Sequence, residues 1–149
     1  MSEKVLIVDD ELDMLDLLSL IVKQNTDYEV DVTNVSVEVP NMIAAGKGYD
    51  VVISDLRMPV LDGIELMEQV RKIDATLPFI VITAYGTIES AVEAVRKGAF
   101  DYITKPFHKE QIIHTLQNAM KLRRLHKEVA DLRSELARLK DPPEGPQGS

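Results

Sequence analysis

VVISDLRMPVLDG, residues 51–63, passes from a β-branched run to an acidic residue and then into a loop punctuated by Pro59 and Gly63. Valine and isoleucine in unbroken succession suit a strand buried on both faces. Asp50–Ser54 is therefore predicted as a central strand, with Asp55 at its carboxyl end. Ile64, Met67, Val70 and Arg71 follow at helical spacing and open a helix that should fade near Asp74. One strand, one loop and one helix thus follow in order, and the unit recurs on both sides.

Upstream, Lys4–Val8 reads as a strand ending in acidic residues, and Leu12, Leu15, Leu18, Ser19 and Val22 predict a helix from about Glu11 to Gln24. Glu29–Thr33 alternates like a shorter strand. A second helix is predicted near Pro40–Gly46, because proline suits a first helical turn and glycine an ending. Downstream come a strand at Phe79–Thr83, a helix at Thr87–Lys97 closed by Gly98, and a strand at Tyr102–Thr104. From Lys109 the pattern is helical to about Lys140. Five such units predict an α/β fold with a parallel sheet and helices on both faces. In doubly wound sheets, ligand chemistry sits at the carboxyl ends of the strands. Asp9, Asp10, Asp55, Thr83 and Lys105 all fall there.

Composition narrows the possible chemistry. The 149 residues allow one domain with an appendage, and 45% hydrophobic content is ordinary for a globular core. A formal charge of −8 argues against direct nucleic-acid contact through a basic surface. The absence of cysteine excludes disulfides, thiol catalysis and cysteine-ligated zinc. MSEKVLIVDD lacks the pattern of a signal peptide, and no apolar run is long enough to span a bilayer. A cytoplasmic protein with no membrane contact is expected.

Three carboxylates converging on one sheet edge repel one another unless a cation shares them. Hard oxygen ligands point to Mg²⁺. A carboxylate can attack phosphorus when nearby cations neutralise the phosphoryl oxygens, a reaction that needs positioning and electrostatics more than covalent machinery. Asp55 is the expected nucleophile. Asp10, Asp55 and the backbone carbonyl of Arg57 are expected to ligate the metal, with Asp9 acting through a metal-bound water. Lys105 is expected to pair with Asp55 at rest and with a phosphoryl oxygen afterwards. The Thr83 hydroxyl would meet another oxygen, with small Ala84 leaving room beside it.

The motifs VLIVDDE, VVISDLRMPVLDG, FIVITAYG and GAFDYITKPF, in this order and spacing, resemble the receiver domains of bacterial two-component response regulators across residues 3–120. The resemblance implies a flavodoxin-like sheet of order 2-1-3-4-5 and phosphorylation of Asp55 by the phosphohistidine of a histidine kinase. It further implies Mg²⁺ dependence, slow self-catalysed loss of the phosphate and a cis Lys105–Pro106 peptide. Thr83 and Tyr102 match the family's switch pair, which would reshape the face formed by the fourth helix, fifth strand and fifth helix. GTIESAVEAVRKGAFDYITKPF is most similar to receivers of sigma-54-dependent, nitrogen-regulatory activators, which implies an AAA+ output domain outside this piece. A different output class, or a constitutive dimerisation module, is the alternative. Val35–Asn41 departs from the family in offering no unbroken amphipathic helix.

Other aspartyl and phosphate chemistries fit less well. Asp9-Asp10-Glu11 would repel a flavin phosphate, a haloacid-dehalogenase-type phosphatase wants an acid where Arg57 stands, and AAGKGYD is not a Walker loop. The expected product is a phosphoacceptor and not a turnover enzyme.

Residues 121–140 continue the last helix as a linker. Leu122, Val129 and Leu136 occupy heptad position a, and Leu125, Leu132 and Leu139 position d. Such a seam predicts a parallel homodimer, with Glu128 facing Arg133 and Glu135 facing Lys140 of a partner. Exposed pairs of that kind contribute about 0.2–1 kcal/mol each and set register more than stability. Lys121, Arg123, Arg124 and Lys127 are expected to form a solvated basic face. Residues 141–149, DPPEGPQGS, are expected to be disordered.

Overall fold

A computed structural model describes residues 3–140; the tail predicted at 141–149 lies outside the described residues. The sheet comprises β1 (Lys4–Val8), β2 (Glu29–Thr33), β3 (Val51–Asp55), β4 (Phe79–Thr83) and β5 (Asp101–Thr104). All neighbours are parallel, in the order β2-β1-β3-β4-β5. The helices are α1 (Leu12–Asn25), α2 (Val39–Ala44), α3 (Gly63–Ile73), α4 (Ile88–Arg96) and α5 (Lys109–Lys140).

Strand alternation divides the core into two layers. Val5, Ile7, Val51, Ile53, Ile80, Ile82 and Ile103 face α1 and α5, meeting Leu15, Leu18, Ile112 and Leu116. Leu6, Val8, Val52 and Val81 face the other way, toward Val39 of α2, Met67 of α3 and Ala94 of α4. β3 and β4 are buried along their whole length, which is why they read as continuous apolar runs.

The predicted elements are shifted by a residue or two at several places. β3 runs one residue further than expected because Asp55 still pairs in register with Ile82 of β4, and β5 begins one residue earlier because Asp101 pairs with Ile80. The second helix is a single short segment entered through a 3₁₀ turn, Ser36–Glu38, with Pro40 in its first turn. Gly46, at φ +76°, lies just beyond its end.

One basic residue of α5 requires a correction, while Lys121, Arg124 and Lys127 are exposed as expected. Arg123 is not solvated: only 8% exposed, it donates through Nη2 to Asp74 Oδ2 at 2.8 Å and through Nη1 to Thr76 Oγ1 at 2.9 Å. Lys127 Nζ reaches Asp50 Oδ1 at 2.6 Å, and Arg124 Nε reaches Glu3 Oε2 at 2.7 Å. These pairs fasten α5 to the domain through Lys127, past the expected boundary at residue 120. Helical periodicity placed the cations on one face, but their partners lie 47 to 121 residues away in sequence. Asp74 shows the consequence: burial alone would raise its pKa, yet the hydrogen bond and charge of Arg123 hold the carboxyl below its ordinary value. Arg123→Met is expected to cost about 1–3 kcal/mol in urea unfolding, below the full cost of breaking a buried pair because Asp74 is partly solvated. An unchanged midpoint would show that the cluster adds nothing to stability.

Candidate functional site

The carboxyl edge of the sheet gathers the predicted polar residues. Asp9 and Asp10 follow β1, Asp55 ends β3, Thr83 ends β4, and Lys105 follows β5. One carboxylate oxygen from each of Asp9, Asp10 and Asp55 lies within 4.8 Å of the other two. Asp9 is 1% exposed and Asp55 7%, whereas Asp10 is exposed at the rim. Asp55 opens into a shallow depression of about 520 Å³, lined also by Asp10, Glu11, Arg57, Ala84, Tyr85 and Lys105.

Backbone donors orient the buried acids. The Glu11 N–H donates to Asp9 Oδ1 at 2.9 Å, and the Leu56 N–H donates to Asp55 Oδ1 at 2.8 Å. Lys105 meets the expected partner Asp55 and two further carboxylates besides. Its Nζ is 3.3 Å from Asp9 Oδ2, 3.8 Å from Asp55 Oδ2 and 3.9 Å from Glu11 Oε1. One ammonium is therefore shared among three carboxylates, and Asp9, the most deeply buried, holds it closest. The Lys105–Pro106 peptide is cis.

The cluster is short of positive charge. Burial and then the neighbouring Asp9 charge push the Asp55 pKa up from 3.8 to about 6, against the pull of Lys105 and the Leu56 N–H. Burial likewise raises Asp9, opposed by the Glu11 N–H and Lys105. A site in this electrostatic condition favours a cation, and its hard oxygen donors match Mg²⁺ in chemistry.

Thr83 is fully buried, and its Oγ1 accepts from the Tyr85 N–H at 3.0 Å, which leaves its proton available to an acceptor. The Arg57 guanidinium lies over the Tyr85 ring, 5.2 Å from its centroid, so the two exposed side chains meet at the mouth. Tyr102, half-buried on β5, packs against the α3–α4 layer.

Two further residues matter to the geometry. A Cβ on Gly63 would stand 2.5 Å from the Asp55 carbonyl oxygen, so α3 can approach the strand end this closely only with glycine. The sequence signals this position as loop punctuation without revealing what it approaches. Ser90 on α4 contacts the Tyr102 hydroxyl at 2.6 Å, and no periodicity singles it out.

Along the outer part of α5, Leu125, Val129, Leu132, Leu136 and Leu139 are between 43 and 78% exposed, while Leu122 is half-buried. The predicted seam does not fold back onto the domain. No helix among the described residues is long and apolar enough to cross a membrane.

Comparison with known proteins places this geometry. The model of the response regulator receiver domain matches residues 5–117. Regulatory protein AtoC of Escherichia coli (strain K12) is 42% identical over 88 residues, covering 59% of this chain and 19% of that protein. A putative response regulator NtrX-like of Rickettsia bellii is 35% identical over 134 residues, covering 89% of this chain and 28% of that protein. The chain thus spans less than a third of either relative. Among solved structures, a response regulator receiver domain protein from Clostridium thermocellum superposes with a TM-score of 0.77 at 28% identity, covering 83% of this chain and 98% of that one.

Proposed function

The chain belongs to the response regulator receiver domain family of two-component signalling, and from that premise we propose that it is a phosphoryl-accepting switch with Asp55 as its acceptor. The observation that supports this most directly is a buried Asp55 held beside two further carboxylates and Lys105 at an open sheet edge. The donor is a phosphohistidine on a histidine kinase. An Asp55 carboxylate oxygen forms a bond to phosphorus as the phosphorus–nitrogen bond breaks, and the electron pair leaves with the imidazole. Water later cleaves the acyl phosphate slowly, so the chain promotes its own modification and reversal without turning over an external substrate.

Asp10, Asp55 and the Arg57 carbonyl would hold Mg²⁺, with Asp9 supporting the site behind them. When bound, the ion supplies positive charge that offsets the carboxylates and the phosphoryl oxygens. Lys105 exchanges its carboxylate partners for a phosphoryl oxygen, and Thr83 turns its hydroxyl proton toward another. That movement vacates space toward which Tyr102 rotates, reshaping the face of α4, β5 and α5. The seam on α5 joins two chains as a parallel dimer, which carries the change to an output domain. Resemblance in residues 86–107 favours an AAA+ sigma-54 activator acting in the cytoplasm.

Incubation with acetyl phosphate and Mg²⁺ is expected to add one phosphoryl group, detected by intact mass and lost on chelation before the donor is added. A chain that stays unlabelled with its fold intact would overturn the reading.

A further inference from the structure

α4 is weakly anchored by packing. Ala94 is its buried residue, while Ile88, Val92 and Val95 are 48 to 82% exposed. Polar attachments therefore carry much of its placement: Lys97 to Glu68 at 2.8 Å, Arg71 to the Gly98 carbonyl, and Ser90 to Tyr102. The last differs from the others because Ser90 Oγ serves two structures at once. It accepts the Thr87 N–H at 3.1 Å, completing a reciprocal capping box in which Thr87 Oγ1 accepts the Ser90 N–H at 3.0 Å. The same oxygen lies 2.6 Å from the Tyr102 hydroxyl.

The space around that hydroxyl is restricted. A Cβ on Gly86 would stand 3.4 Å from it and 2.6 Å from Thr104 Cγ2, so the β4–α4 loop lies tight against β5. Tyr102 thus reaches α4 beneath a loop that begins at Thr83. Removing the ring from this position takes away the one partner of the Ser90 hydroxyl that lies outside Thr87, and weakens the capping of a helix with little packing to hold it.

We propose that Ser90 is a positioning residue of the switch, tying Tyr102 to α4 so that displacement of the ring and opening of the first turn of α4 are one coupled event. The proposal rests on the reading of Tyr102 as the moving residue. It assigns the coupling to a single hydroxyl, and it explains how a rotation on β5 reaches the neighbouring helix.

The test compares the full chain with Ser90→Ala, Tyr102→Phe, the double variant and Ser90→Thr. Tyr102→Phe leaves both capping hydrogen bonds in place, so a role for Ser90 in capping alone predicts no change at α4. Coupling instead predicts that amide exchange over Ile88–Ala91 quickens about fivefold in Tyr102→Phe, the scale of one net hydrogen bond. The double variant should then exchange no faster than Ser90→Ala, and Ser90→Thr should behave like the parent chain. Unchanged exchange in Tyr102→Phe, or effects of the two single changes that multiply in the double variant, would overturn the coupling. Beryllofluoride binding with Mg²⁺ is measured alongside. If the parent chain fails to bind it, the phosphoacceptor reading fails, while the exchange data still decide whether Ser90 couples the ring to the helix.

Discussion

Asp55→Asn is expected to abolish labelling by acetyl phosphate and, at the same time, to make the protein more stable. Loss of labelling follows from removing the nucleophilic oxygen, since a carboxamide is a poor nucleophile toward phosphorus. The gain in stability follows from the site's charge balance. A carboxyl whose pKa rises from 3.8 to about 6 on folding binds its proton more tightly in the folded chain. Its favourable contribution is complete below pH 3.8 and is lost as the pH climbs through 6, so at neutral pH the ionised group opposes folding. Asparagine fills the same space without charge and is expected to stabilise the chain by roughly 1–3 kcal/mol at pH 7.5, with the difference vanishing near pH 4. Mg²⁺ should stabilise the parent chain by binding its folded form and should do so far less in the variant. Urea unfolding at the two pH values, with and without Mg²⁺, reads all of this. Equal stability at pH 7.5 would show that the acidic cluster carries no net repulsion. Persistent labelling would move the nucleophile elsewhere.

Leu132→Asn together with Leu136→Asn is expected to turn a dimer into a monomer while leaving the receiver folded. The two leucines are 57 and 53% exposed on the outer part of α5, beyond the ion pairs of Arg123, Arg124 and Lys127. Polar side chains there leave the domain core untouched. Burying a leucine fully contributes about 1.5–3 kcal/mol. Half of that over four side chains in a dimer is about 3–6 kcal/mol, comparable with the roughly 4 kcal/mol separating micromolar from millimolar association. Sedimentation equilibrium at tens of micromolar should therefore give the dimer mass for the parent and the monomer mass for the variant, with matching amide exchange below residue 120. A parent that sediments as a monomer would remove the seam's proposed role.

The two tests draw on different kinds of information. The nucleophile candidate was legible because a strand, a loop and a helix each leave a local signature, and Asp55 stands where the first gives way to the second. The exposed stripe on α5 was legible because a heptad needs only sequence spacing. By contrast, Arg123 was misread as solvated along with the exposed cations beside it on α5. Nothing near Arg123 in sequence announces that Asp74 and Tyr49 will lie against it.

From its own sequence, the chain determines the order of strands and helices, the acidic strand ends and the exposed leucine stripe, because these depend on periodicities of two and of three and a half. Only the tertiary structure decides how charge is distributed among them. It places Lys105 nearer Asp9 than Asp55, brings Gly63 against the Asp55 carbonyl, and sets Ser90 against Tyr102. The first and last of those contacts join residues from different strand–helix units, and the energies of all three depend on distance and burial, which exist only once the sheet has closed.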